Sequence, residues 1–202
     1  EILMARVRKV KPTKRTMEQG VTNELDALPG LYDSGIQWMA SGTLEWLKRM
    51  FYSSESDAKS DDVYRTIIDE AADVESTNVR IDPSFNTCTG VISGIGLNTS
   101  RGEIYRAALE ALSVKAKNSI SILEQIGGFK ATSLIVGGGA TRNKLWNQLR
   151  ANALGIPLKL HKETETTVIG AAVFALVATG VYQSVDEAME AIAPEYDMIY
   201  PE

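Results

Sequence analysis

Cysteine and histidine are almost missing from this sequence. Its 202 residues hold one of each, Cys88 and His161. A single cysteine excludes an internal disulfide and suits a reducing compartment, so a cytoplasmic location is expected. One histidine and one cysteine do not assemble a Cys/His metal site or a Ser/His/Asp or Cys/His nucleophilic set. The chain's many carboxylates stand in no distinctive setting either, so no metal ligand and no catalytic residue is assigned within it. Long apolar runs are missing too. The longest, Val168 to Ala178, is about half of the ~20 residues that a membrane span requires, and no membrane partner is expected. Basic charge is not in excess: 21 Lys and Arg stand against 26 Asp and Glu, for a net charge of −5. Nucleic acid is thereby disfavoured as a partner. An initiator methionine is also missing. The chain opens Glu1-Ile2-Leu3-Met4 like a strand entered midway, and an N-terminal portion is expected to precede it.

The most informative stretch present is Leu134-Ile135-Val136-Gly137-Gly138-Gly139-Ala140-Thr141-Arg142-Asn143. A short apolar run ends in three glycines. A helical pattern then follows, with Leu145, Trp146, Leu149 and Ala153 on one face. The reading is strand, tight glycine turn, helix. Glycines permit positive φ and leave no Cβ to block a flat ligand. The following helix start favours anionic or polar groups. Asn143 is expected one turn into that helix, with an amide able to donate and accept. A strand-to-helix turn also needs glycine merely to turn, and the spacing fits neither the dinucleotide fingerprint nor the P-loop.

Elsewhere the pattern alternates helix and strand, most clearly in the second half, which predicts an α/β domain over 1–202. Strands are expected at 1–8, 79–81, 89–97 (with glycine bends) and 158–160. Helices are expected from about Ser41 to 51, with Ser41 as N-cap, and over 61–74, 101–125, 166–179 and 184–192. Trp38 and Trp46 read as core. Residues 9–30 read as loop or hairpin, 52–62 as surface loop, 84–88 as irregular and 194–202 as a tail. Ser184 to Glu187 matches a capping box. On composition alone, Glu103, Arg106 and Glu110 are spaced partners on a solvated helix face.

Four stretches together resemble the C-terminal half of the FGGY family of carbohydrate kinases. Gly90-Val91-Ile92-Ser93-Gly94-Ile95, then seven residues, then Glu103-Ile104-Tyr105-Arg106-Ala107-Ala108-Leu109-Glu110 fits the family's second signature. Gly137, Gly138, Gly139 and Ala140 with Asn143 resemble its adenosine motif. Glu165-Thr166-Thr167-Val168-Ile169-Gly170-Ala171-Ala172 resembles its closing helix motif. Ala40-Ser41-Gly42-Thr43-Leu44-Glu45-Trp46-Leu47 resembles the segment that lines the nucleotide cleft. Ser84 to Cys88 stand where many members carry a Gly-Glu-Arg loop. Leu97 to Gly102, Gly127 to Ala131 and Leu145 to Gln148 resemble the branch of the family that acts on L-fuculose, with L-rhamnulose and D-xylulose as alternatives.

The resemblance implies an actin-like, ribonuclease-H-like ATPase fold with a central mixed sheet flanked by helices. It implies two such lobes around a cleft that takes ATP·Mg²⁺ and a sugar. This chain would be the second lobe. Gly137, Gly138, Gly139, Ala140 and Asn143 would border adenosine, with Ser41, Gly42 and Glu45 expected to face them. The catalytic aspartate and most sugar contacts would lie in the missing N-terminal lobe, so the chain alone is expected not to phosphorylate sugar. A homo-oligomer is compatible with the sequence. The rival function is an actin-like ATPase switch module, which would not need the second signature.

Overall fold

The computed structural model describes residues 2–8, 13–53, 60–163 and 165–202. Glu1, part of the loop expected at 9–30 and most of that expected at 52–62 lie outside the described residues. The chain forms two compact units, Glu1–Ala131 and Thr132–Glu202.

The first unit begins with an antiparallel sheet. Strand β1 (Ile2–Val7) alternates, with Leu3 and Val7 inward. A five-residue helix, α1 (Lys14–Glu18), follows, closed by a Thr13–Thr16 capping box. Strands β2 (Val21–Leu25) and β3 (Tyr32–Gln37) come next. The strand order is β1-β3-β2, with Leu3 opposite Ile36 and Val21 opposite the same Ile36. Helix α2 (Ser41–Phe51) starts one residue after Ala40, not after a serine cap: Ala40 holds the N-cap position without a side-chain bond. Ser41 is instead the first helical residue, and the Thr43 hydroxyl bonds Met39 O at 2.7 Å. Trp38 is buried, and the half-buried Trp46 packs on Phe85 with ring centroids 4.8 Å apart.

Helix α3 (Ser60–Ala72) lies against α4 (Arg101–Gly127), the 27-residue helix that supplies more buried residues to this unit than any other described element. Ile104, Tyr105, Ala108, Leu109, Leu112, Ala116 and Leu123 are buried along it. Ser100 and Glu103 cap its start reciprocally, and Gly128 at φ +64° stops it. Between α3 and α4 in the chain a short hairpin pairs β4 (Arg80–Asp82) with β5 (Val91–Ser93). A 3-10 turn, Ser84–Thr87, connects these two strands. The strand expected over 89–97 is confined to three residues, because Gly94 turns the chain at φ +74°.

The second unit holds a mixed sheet. Strand β6 (Leu134–Val136) runs parallel to β7 (Leu158–His161), and β8 (Tyr196–Ile199) pairs antiparallel with β7. Residues expected as a tail thus form an edge strand, because pairing supplies backbone partners that the local sequence does not advertise. Helix α5 (Lys144–Leu154) covers this sheet through Ala151 and Leu154, which pack with Val136, Leu158, Leu160 and Ile199. The buried face of α5 is Trp146, Asn147, Arg150 and Ala151 rather than the apolar set Leu145, Trp146, Leu149 and Ala153. Helices α6 (Thr166–Ala178) and α7 (Val185–Ile192) complete the unit, with Ser184 capping α7.

Candidate functional site

The glycine turn is not a direct strand-to-helix step. Gly137 is extended, at φ −127° and ψ 172°, and a 3-10 turn over Gly138–Arg142 follows before α5 begins. Gly138 is at φ +74°, a conformation that an L side chain adopts only with strain. The Thr141 hydroxyl donates to Gly138 O at 2.9 Å. Asn143 is the N-cap of α5, not a residue one turn in. Its Oδ1 accepts from Trp146 N at 2.9 Å, which satisfies a helix-start donor. Asn143 is buried, so one end of its amide already has a structural use.

A second amide holds the turn from inside. Asn147 is fully buried, and its Nδ2 donates to Ala140 O at 3.0 Å and Thr141 O at 3.2 Å. Its Oδ1 has no partner among the described residues. Sequence reasoning missed Asn147. The available signal was its place one turn after Asn143, where a short amide reaches back to a preceding loop. Arg150 is also buried and stacks over Trp146, its guanidinium carbon 4.2 Å from the ring centre.

The three glycines differ in surroundings. A Cβ on Gly137 would lie 3.1 Å from Thr166 Cγ2 and 3.2 Å from its Oγ1. A Cβ on Gly138 or Gly139 would meet nothing within 4 Å. Gly139 is exposed, while Gly138 and Ala140 are half-buried. Gly137, Gly138, Gly139, Ala140 and Asn143 are thus brought into one turn with an open backbone face.

Ser41, Gly42 and Glu45 occupy the first two turns of α2 in the other unit, and all three are exposed. Glu45 already has protein partners. Its Oε1 pairs with Lys48 Nζ at 2.7 Å, and its Oε2 accepts from the Tyr64 hydroxyl. The Lys48 ammonium, and then Tyr64, hold the Glu45 carboxyl below the usual glutamate range. Burial, followed by the nearby carboxylate, pushes the Tyr64 hydroxyl up. Lys48 also sits 4.5 Å from the centre of the Tyr64 ring.

The signature-like stretch around α4 is braced internally. Arg101 Nε and Nη2 bond both oxygens of Glu70 at 2.9 and 2.6 Å. Tyr52 donates its hydroxyl to Glu70 at 2.9 Å, and Arg101 stacks over the Tyr52 ring. Gly102 lets α4 approach α3: a Cβ there would lie 2.6 Å from Glu70 O. Glu103 accepts from Ser100 N at 2.8 Å, and Arg106 pairs with Glu110 at 3.0 Å. Among the described residues no group of three or more His, Cys, Asp or Glu could hold a metal ion. No helix among them is long and apolar enough to cross a membrane.

Comparison with known proteins places this geometry in a family. Residues 3–179 match the model of the FGGY family of carbohydrate kinases, C-terminal domain. The chain is 40% identical over 205 aligned residues to the L-fuculokinase of Escherichia coli (strain K12), covering 100% of this chain and 42% of that protein. The L-fuculokinase of Haemophilus influenzae is 39% identical over 205 residues, covering 100% of this chain and 43% of that protein. The chain therefore spans about two fifths of the length of these relatives. Xylulose kinase from Rhodospirillum rubrum superposes with a TM-score of 0.81 at 20% identity, over 100% of this chain and 41% of its own. Plasmodium falciparum glycerol kinase with ADP superposes at 0.77 and 20% identity, with the same coverage. The fold is that of the actin-like ATPases to which these sugar kinases belong. With most of its length matched by the family model and its whole length aligned to these relatives, the chain belongs to the FGGY family of carbohydrate kinases, as a C-terminal domain.

Proposed function

We propose that this chain is the adenosine-side lobe of an ATP-dependent ketose kinase that converts L-fuculose to L-fuculose 1-phosphate. The observation that carries the reading is the 40% identity to L-fuculokinase along the entire chain. The open backbone face at Gly138 and Gly139 supports the placement of adenine and ribose there. A fold neighbour solved with ADP supports a nucleotide as the ligand class. Asn143 would offer the end of its amide not used in capping. Ser41, Gly42 and Glu45 would supply a second nucleotide-lining segment, with Glu45 acting as an acceptor only if it gives up one of its protein partners.

Phosphoryl transfer is mostly positioning and charge stabilisation, so nucleotide, Mg²⁺, sugar and base must be held in one geometry. The substrate is ATP·Mg²⁺. This chain's share would be to bind and orient the adenosine end, while the base and most sugar contacts belong to the rest of a cytoplasmic parent protein. The test is ADP release by the purified full-length parent with ATP, Mg²⁺ and each of L-fuculose, L-rhamnulose and D-xylulose. L-fuculose is expected to give the highest kcat/KM, by at least about tenfold. ATP hydrolysis that no ketose stimulates would reject the kinase reading in favour of a switch ATPase.

A further inference from the structure

Tyr105 is buried with a hydroxyl that has nothing to bond. The residue is 1% exposed, and its hydroxyl has no hydrogen-bond partner among the described residues. Buried polar groups are nearly always paired, so an orphan needs a reason. Phenylalanine would fill almost the same space without leaving a hydroxyl unpaired. Tyr105 stands in the second turn of α4, and α4 packs against both α3 and α2. Burial, then Tyr64 of α3, then Glu45 of α2, pushes the Tyr105 hydroxyl above the usual tyrosine range. The polar groups that the orphan feels are thus two groups that bond each other.

That bond holds Glu45. Tyr64 donates its hydroxyl to Glu45 Oε2, and Lys48 Nζ holds Oε1 at 2.7 Å. A ligand hydroxyl at the start of α2 would draw the Glu45 side chain out of this position. Lys48 ends in an ammonium on a flexible four-carbon stem and can follow the carboxylate. The Tyr64 ring, 4.5 Å from that ammonium at its centre, is rigid. Its half-buried hydroxyl would be left without an acceptor, and losing a partner in that way is costly. Tyr105 supplies an acceptor.

We infer that Tyr105 is a positioning residue for the nucleotide: its hydroxyl oxygen is the second acceptor for the Tyr64 O–H, taken up when Glu45 turns to the ligand. The inference rests on the reading of Ser41, Gly42 and Glu45 as a nucleotide-lining segment, and it names what lets Glu45 act there. Without nucleotide, Tyr64 bonds Glu45 and the Tyr105 oxygen goes unpaired. With nucleotide, Glu45 bonds the ligand and Tyr64 bonds Tyr105. The orphan then belongs to the empty state alone, which biases the equilibrium toward the occupied one. Tyr105 touches no ligand and acts only through Tyr64 and Glu45.

The test is ADP binding by the full-length parent, measured by titration calorimetry, with Tyr105→Phe, Tyr64→Phe and the double variant. Tyr105→Phe is expected to raise the Kd for ADP at least about fivefold, the worth of about one neutral hydrogen bond. Its Tm is expected to stay the same or rise, because the hydroxyl it removes is unpaired in the empty protein. Tyr64→Phe releases Glu45 beforehand, so its Kd should equal or fall below that of the parent. In that background Tyr105→Phe should change the Kd by less than about twofold, since the bond it removes no longer exists. An unchanged Kd for Tyr105→Phe would overturn the inference, as would the same weakening in both backgrounds. A Tm lowered by more than about 3 °C in Tyr105→Phe would also overturn it, by showing a hydroxyl already bonded in the empty state. The readout separates the inference from the nucleotide reading. A parent that binds ADP regardless of Tyr105 rejects the inference alone, and a parent that binds no ADP rejects both.

Discussion

Replacing Asn147 by alanine should loosen the glycine turn without touching its outer face. Asn147 is fully buried and donates to two carbonyls of the turn, at Ala140 and Thr141. Two neutral hydrogen bonds contribute about 1 kcal/mol each. Both acceptor residues are half-buried, so water can replace part of what is lost, and the full ~1–3 kcal/mol penalty for an unsatisfied buried group does not apply twice. The small cavity left by the amide adds roughly 1 kcal/mol. Against this, the unpartnered Oδ1 is removed, which returns roughly 1 kcal/mol. The net loss is about 2 kcal/mol. For a chain of this size that lowers Tm by about 4–8 °C if unfolding is cooperative. Circular dichroism melts of the chain and of Asn147→Ala test this, with Asn147→Asp as the sharper companion. Aspartate keeps the volume but replaces both donors with acceptors facing carbonyls, so it should lose more than alanine does. A Tm change under about 1 °C for Asn147→Ala, or a milder effect for Asn147→Asp, would show that the amide does not hold the turn.

Gly139→Val in the full-length parent should raise the KM for ATP by at least about tenfold while leaving Tm within about 1–2 °C, since among the described residues nothing beyond its chain neighbours would lie within 4 Å of a Cβ there; an unchanged KM would remove Gly139 from the proposed nucleotide site. Gly102→Ala should lower Tm although alanine is the better helix former: the gain of roughly 0.5–1 kcal/mol is smaller than the ~1–3 kcal/mol of overpacking expected from a Cβ 2.6 Å from Glu70 O, and a rise in Tm would refute this contact. Arg101 first, with Tyr52 assisting and burial opposing, holds the Glu70 carboxyl below its usual range. A depressed folded value contributes stability that is present above the unfolded pKa of about 4.3 and is lost as pH falls through the folded value. Glu70→Gln should therefore flatten the loss of stability with acid below about pH 4–5, measured by urea unfolding, and an unchanged slope would place the pair's contribution elsewhere.

The elements legible in the sequence are those whose local pattern and tertiary role agree. Helix α4 shows the 3.6-residue period, the Ser100–Glu103 capping box and a terminating glycine, and all three are used. Strand β3 was not legible because Asp33, Ser34 and Gly35 interrupt its apolar alternation. Its place between β1 and β2 supplies backbone pairing on both edges, and Gly35 fits where a Cβ would lie 3.2 Å from Leu3 O. In α5 the apolar residues predicted the wrong face, because Asn147 and Arg150 are buried for contacts with the turn and with Trp146 that no hydrophobic period encodes. The site followed the same division. The glycine run marked the turn, but the inserted 3-10 segment and the capping use of Asn143 depend on hydrogen bonds formed only after folding.

The three consecutive glycines can now be given separate reasons. Gly137 is small because Thr166 at the start of α6 presses on it, at 3.1 Å from where a Cβ would stand. Gly138 is glycine because the chain turns there at φ +74°. Neither requirement applies to Gly139. It has no positive φ, it is exposed, and its side is open beyond 4 Å. Folding alone would accept alanine there, and would gain about 0.4–1 kcal/mol from the smaller entropy of the unfolded chain. A glycine that neither packing nor backbone geometry requires points outward for its explanation. The side chains that stabilise the turn, Thr141, Asn143 and Asn147, bond its backbone or cap the helix that follows. That arrangement fixes the turn from within and leaves bare backbone on its outer side, which is what a flat ring and a ribose would require for close approach.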